Sequence, residues 1–129
     1  MLGALLGVVL LLSAACETQP RPPTPRGTVA VKLLSEKKVS ELTISDEYML
    51  VVTLPPSDAG HRWEISFHDF RYLQLLRDIH PPADPHAGAT VTFMTRTPGR
   101  TRLRFVLLPL QASRSVDPID QQELILTIQ

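Results

Sequence analysis

Arg62-Trp-Glu-Ile-Ser-Phe-His68 and Thr101-Arg-Leu-Arg-Phe-Val-Leu-Leu108 decide the fold. Both alternate apolar and polar side chains with a period of two. A strand reads this way when one face packs on a core and the other meets water. Trp63, Ile65 and Phe67 share a face in the first, and that phase makes Trp63 a core residue between sheets. In the second, Leu103, Phe105 and Leu107 point inward while Arg102 and Arg104 point outward.

Working outward, similar runs recur along the chain. Thr28–Leu34, Glu41–Ser45, Glu47–Leu54, Ala89–Arg96 and Glu123–Ile128 are short and β-rich. Glu47–Leu54 is nearly continuous in apolar residues, as a central sandwich strand is. Phe70–Ile79 fits either a short helix or a strand, with strand favoured. Pro55-Pro-Ser-Asp-Ala-Gly60, Pro81–Gly88, Thr97-Pro-Gly99 and Pro109–Ile119 break the pattern with turn residues. Gly60 is expected to supply a positive φ before its strand. Strands at this spacing, with no long helical pattern, predict an all-β protein: an antiparallel, immunoglobulin-like β-sandwich of about seven strands.

The N-terminus sets the compartment. Leu2 to Ala15 carries no charge and ends in Ser13, Ala14 and Ala15 before the single cysteine, Cys16. As a helix this run would be about 21 Å long, short of the ~30 Å hydrocarbon core, so it reads as a signal peptide. Leu12-Ser-Ala-Ala-Cys16 resembles a bacterial lipobox, which implies that Cys16 becomes the acylated first residue. Glu17 in the next position resembles lipoproteins sorted to an outer membrane. Four prolines between Glu17 and Gly27 favour an extended tether of up to ~30 Å. A PxxP ligand is the other reading of that stretch. The expected organisation is a signal peptide over 1–15, a lipidated Cys16 with its tether over 16–27, and a domain over 28–129.

Thirteen acidic residues balance thirteen basic ones, so nothing in the net charge draws the chain to nucleic acid. One cysteine allows no disulfide within the chain and no multi-cysteine metal site. The four histidines, His61, His68, His80 and His86, lack HxH, HxxxH or HExxH spacing. His80, Asp84 and His86 could form at most a weak transition-metal site in a proline-rich loop. Ser57 lacks the strand–turn–helix setting of a nucleophile elbow. No glycine-rich phosphate loop is present. No catalytic set, cofactor or resident metal is expected. Arg96, Arg100, Arg102 and Arg104 surround the Pro98-Gly99 turn, either as a solvated face or as a contact for acidic headgroups, glycan or an acidic partner.

The order of the strand segments resembles the chagasin-like inhibitors of papain-type cysteine peptidases. The matching pieces are Leu42-Thr-Ile-Ser-Asp46, Val51-Val-Thr-Leu-Pro55, Gly60-His-Arg-Trp-Glu64, Ala89-Thr-Val-Thr-Phe93, Pro98-Gly99 and Leu103-Arg-Phe-Val-Leu-Leu-Pro109. The resemblance implies that three loops at one end enter a peptidase cleft. By position these are Pro55–His61, His80–Gly88 and Leu108–Pro118. The implied contact residues are Pro56, Ser57, Asp58, Ala59, Gly60 and His61, then Asp84, His86 and Gly88, then Leu108, Pro109 and Leu110. Two motifs depart from the family. Asn-Pro-Thr-Thr is replaced by the shorter Pro56-Ser-Asp-Ala59, and Arg-Pro-Trp by Leu108-Pro109-Leu110, which loses a cation and an aromatic anchor. The expectation is a non-enzymatic protein-binding domain held to the cell envelope by its lipid. Its partner would be a papain-type cysteine peptidase or, alternatively, an envelope complex that it holds together.

Overall fold

The computed structural model describes residues 24–82, 84, 86–111 and 117–129. Eight strands follow one another: β1 Gly27–Lys32, β2 Val39–Ile44, β3 Tyr48–Thr53, β4 His61–Phe67, β5 Leu73–His80, β6 Thr90–Thr95, β7 Gly99–Pro109 and β8 Asp120–Ile128. The described residues contain no helix. The ambiguous Phe70–Ile79 stretch is a strand. Cys16 and the apolar run before it lie outside the described residues.

The strands form two four-stranded sheets, β1-β3-β6-β5 and β2-β8-β7-β4, so the protein is an immunoglobulin-like β-sandwich. Inward side chains of both sheets make its core, with Leu50, Val52, Phe93, Leu103, Phe105 and Leu124 all fully buried. Two pairings depart from a wholly antiparallel arrangement. β1 runs parallel to β3, and β2 runs parallel to β8. The chain leaves the first sheet after β1, visits the edge of the second as β2, and returns as β3 in the direction of β1. A strand that returns after crossing to the other sheet arrives parallel.

One strand breaks its own alternation. The β4–β7 register shifts between Ile65 and Phe67, and the bulge turns Phe67 outward, leaving it 41% exposed. The expectation that Phe67 joins Trp63 on the core face is therefore wrong. The Arg102 guanidinium covers the Phe67 ring instead, 5.3 Å from its centroid. Among the described glycines, Gly99 rather than Gly60 has positive φ, at 146°. An added Cβ at Gly60 would meet only Asp58 Oδ1 at 3.4 Å. Gly60 thus turns without needing the left-handed region.

Candidate functional site

β3 ends at Thr53 opposite Thr90 of β6, and Thr90 also faces His80, the last residue of β5. His61, which begins β4, faces Pro109, which ends β7. The β3–β4, β5–β6 and β7–β8 connections therefore leave the sandwich at one end. Backbone bonds lace them together there. Leu54 donates to the Ala89 carbonyl at 2.8 Å, and Leu110 donates to the Gly60 carbonyl at 2.9 Å.

The first connection is stiffened from within. Trp63 is buried, and its indole Nε1–H donates 2.9 Å to the Pro55 carbonyl, pinning the start of the loop to β4. At the tip, Asp58 Oδ1 accepts the Gly60 amide at 2.9 Å and bonds His61 Nδ1. The Asp58 Oδ1–Gly60 bond closes an Asx turn of the kind Asp favours. The His61 bond, followed by the Gly60 amide, holds the Asp58 carboxyl below the usual carboxylate range.

Between these connections lies a groove of about 720 Å³. Ser57, Asp58, Ala59 and His61 form one wall, and Pro81, Pro82 and Ala87 form the other. Trp63 and Ile79 contribute from the flanking strands, and Leu110 closes the third side. Leu110 is 49% exposed, an apolar residue at the rim rather than in the core.

The other residues named from sequence fall around this groove in different ways. Pro56 and Gly60 are exposed beside it. Leu108 and Pro109 belong to β7, half-buried, and not to the loop after it. Gly88 is buried against β3. Asp84 and His86 stand exposed at the second tip, where Asp84 Oδ1 accepts the His86 amide at 2.9 Å. Residues 112–116 of the third connection lie outside the described residues. His80 does not turn toward His86, since its Nε2 meets Thr90 Oγ1 at 2.9 Å. Among the described residues no three of His, Cys, Asp and Glu come together as a metal site. Pro81, Pro82, Ala87 and Ile79 were not picked out from sequence as site residues. The Pro81-Pro82 pair was their visible signal, because two prolines stiffen a strand exit that can then serve as a wall.

No protein-family model and no curated protein sequence matches this chain. Solved structures do. The cysteine protease inhibitor EhICP2 from Entamoeba histolytica superposes with a TM-score of 0.64 at 15% identity, covering 82% of this chain and 100% of that one. PbICP-C, solved in complex with falcipain-2, superposes with a TM-score of 0.51 at 10% identity, covering 78% and 98%. At such low identity the likeness is one of architecture, and it agrees with the sandwich described above. The chain has the fold of the chagasin-like cysteine protease inhibitors.

Proposed function

We propose that this protein is a lipid-anchored, non-enzymatic inhibitor that blocks the cleft of a papain-type cysteine peptidase with the loop end of its sandwich. The observation that carries the reading is the convergence of three connections at one end, tied by the Leu54–Ala89 and Leu110–Gly60 bonds. A pre-ordered surface loses little freedom on binding, which is what an occluding protein needs. The first loop, braced by Asp58 and Trp63, meets the cleft. Leu110 supplies apolar contact where the family has an aromatic. Cys16 carries the lipid, and the tether holds the domain off the membrane.

The test is inhibition of papain and its relatives by the chain from Cys16 onward, which retains every described element. The expected result is competitive inhibition that weakens at least about tenfold in Leu110→Asp, a rim substitution that leaves the core untouched. No inhibition at micromolar concentration sinks the reading. A second reading, an accessory lipoprotein that holds an envelope complex together, draws support from the concave shape between the loops, which suits a projecting partner side chain. Co-purification of a stable assembly with the native lipoprotein, with no peptidase inhibited, decides for it.

A further inference from the structure

The end of the sandwich opposite the loops carries the most exposed large apolar side chain of the described residues, Phe70, at 78%. It sits in the β4–β5 turn, which is tightly built. Asp69 Oδ1 accepts the Arg71 amide at 3.0 Å, and the Arg71 guanidinium returns to the same carboxylate, Nη2 to Oδ2, at 2.7 Å. The Tyr72 and Leu73 amides both donate to the Asp69 carbonyl at 3.0 Å, and Thr97 Oγ1 donates to the Arg71 carbonyl at 3.0 Å. A turn held by this many bonds presents Phe70 to solvent in a fixed position.

Cations and aromatics surround it. Phe67, Tyr72, Arg71, Arg100 and Arg102 line a groove of about 430 Å³ beside the turn. Asp69 pairs with Arg71, and Glu123 lies 3.6 Å from Arg102. Among the described residues Arg100 has only Glu41 as an acidic neighbour, at 3.9 Å, with both side chains largely in water. Arg96 is hydrogen-bonded to the neutral amide of Gln74 at 2.7 Å. Arg96 and Arg100 can therefore take phosphate oxygens without breaking a close ion pair.

The chain also enters the domain at this end. Gly27 pairs with Tyr48, Met49 with Met94, and Leu73 with Thr95. Three strand spacings of about 4.8 Å put the start of β1 roughly 14 Å from the start of β5. Residues 24–27 therefore lead into β1 at the Phe70 end and away from the loops, and Cys16 precedes them in sequence. On the lipid-anchored reading proposed above, this end is the one that faces the bilayer.

We infer that the Phe70 turn is a membrane-contact tip. Phe70 enters the interfacial region of an anionic phospholipid bilayer, Arg96 and Arg100 engage headgroup phosphates, and the domain stands with its loop end outward. A single aromatic with two arginines binds weakly by itself. A short tether raises the local concentration of membrane to the millimolar range, where a weak contact is occupied. Tip and tether then act as the two signals that stable anchoring takes.

The test supplies the anchor chemically, so that its outcome is independent of whether cells acylate Cys16. The chain from Cys16 onward is coupled through that thiol to maleimide lipid in vesicles of phosphatidylcholine and phosphatidylglycerol. Phe70→Trp is compared with Leu110→Trp, and the emission shared by both from buried Trp63 is subtracted with the parent chain. The expected result is blue-shifted emission from Phe70→Trp, quenched at least about twofold by brominated lipid, with Leu110→Trp unquenched. Quenching that is absent at position 70, or equal at both positions, overturns the inference. Quenching of Phe70→Trp that is as strong on phosphatidylcholine alone overturns the role given to the arginines.

Discussion

Gly88 lies so close to Leu54 that a Cβ built on it would sit 1.7 Å from the Leu54 carbonyl oxygen. The obstacle is backbone, which cannot swing aside as a side chain could. It stands where β3 leaves toward the first loop and the second loop enters β6, with Leu54 donating to Ala89 one residue on. Gly88→Ala is expected to destabilise the fold by about 3 kcal/mol or more, beyond the ordinary range for overpacking. Gly60→Ala, whose Cβ would touch only the Asp58 carboxylate at 3.4 Å, should stay within about 0.5 kcal/mol. Urea unfolding of the two variants checks the contrast, and a Gly88→Ala protein as stable as the parent would refute this packing.

The Trp63 indole makes the second such tie, and it can be cut without emptying the core. Trp63→Phe keeps most of the ring while removing the donor to the Pro55 carbonyl. An orphaned buried acceptor costs about 1–3 kcal/mol, and the smaller ring adds a cavity term. On the inhibitor reading proposed above, Pro55 opens the first loop, so the variant should also inhibit a peptidase less well than its loss of stability alone explains. Denaturation midpoints beside inhibition constants separate the two effects.

Most of the strands were legible because alternation is a local property, written in residues such as Leu103, Arg104 and Phe105. Even β5 could be read from its apolar content. What escaped depends on partners far away in sequence. The β1–β3 and β2–β8 pairings are parallel because the chain changes sheet twice, and no residue in those strands records a direction. Phe67 looks like core until the β4–β7 bulge is known. Gly60 and Gly88 are both loop glycines in the sequence, yet only Gly88 faces a backbone oxygen. At the candidate site, the three loop positions came from the family resemblance, carried over by position. The groove wall of Pro81, Pro82 and Ala87 needed the fold.

Thr95 shows a buried polar residue that earns its place through three elements. Its hydroxyl accepts the Tyr48 amide at 2.9 Å and donates to the Ser45 carbonyl at 2.8 Å, while its own carbonyl takes the Glu47 amide. These bonds clamp the β2–β3 turn, in which Glu47 adopts φ 59°, a conformation that costs a non-glycine residue about 1–2 kcal/mol. Thr95→Val preserves the shape and removes the hydroxyl, so about 1–3 kcal/mol should be lost. Thr95→Ser keeps the hydrogen bonds and should lose less. A larger loss in Thr95→Ser than in Thr95→Val, read by calorimetry, would mean that packing of the methyl group, rather than the clamp, is what matters.

Acid should loosen the loop end of the sandwich through Asp58. The His61 bond and the Gly60 amide lower its folded pKa below the ordinary 3.8. A lowered carboxylate pKa means that the unfolded chain takes up its proton first as pH falls. The stabilisation is therefore complete above about pH 4 and disappears as pH drops through the folded value. Asp69 follows the same sign, lowered chiefly by its bond from the Arg71 guanidinium. Asp58→Asn should melt below the parent at pH 7, and the gap should close as pH falls below about 4 and through the lowered folded value. Asp69→Asn should behave likewise at the opposite end of the sandwich, so the double variant separates the two contributions. Melting temperatures across that range provide the measurement. A gap of constant size at every pH would show that neutral packing, and not the ionised carboxylate, fixes the first loop.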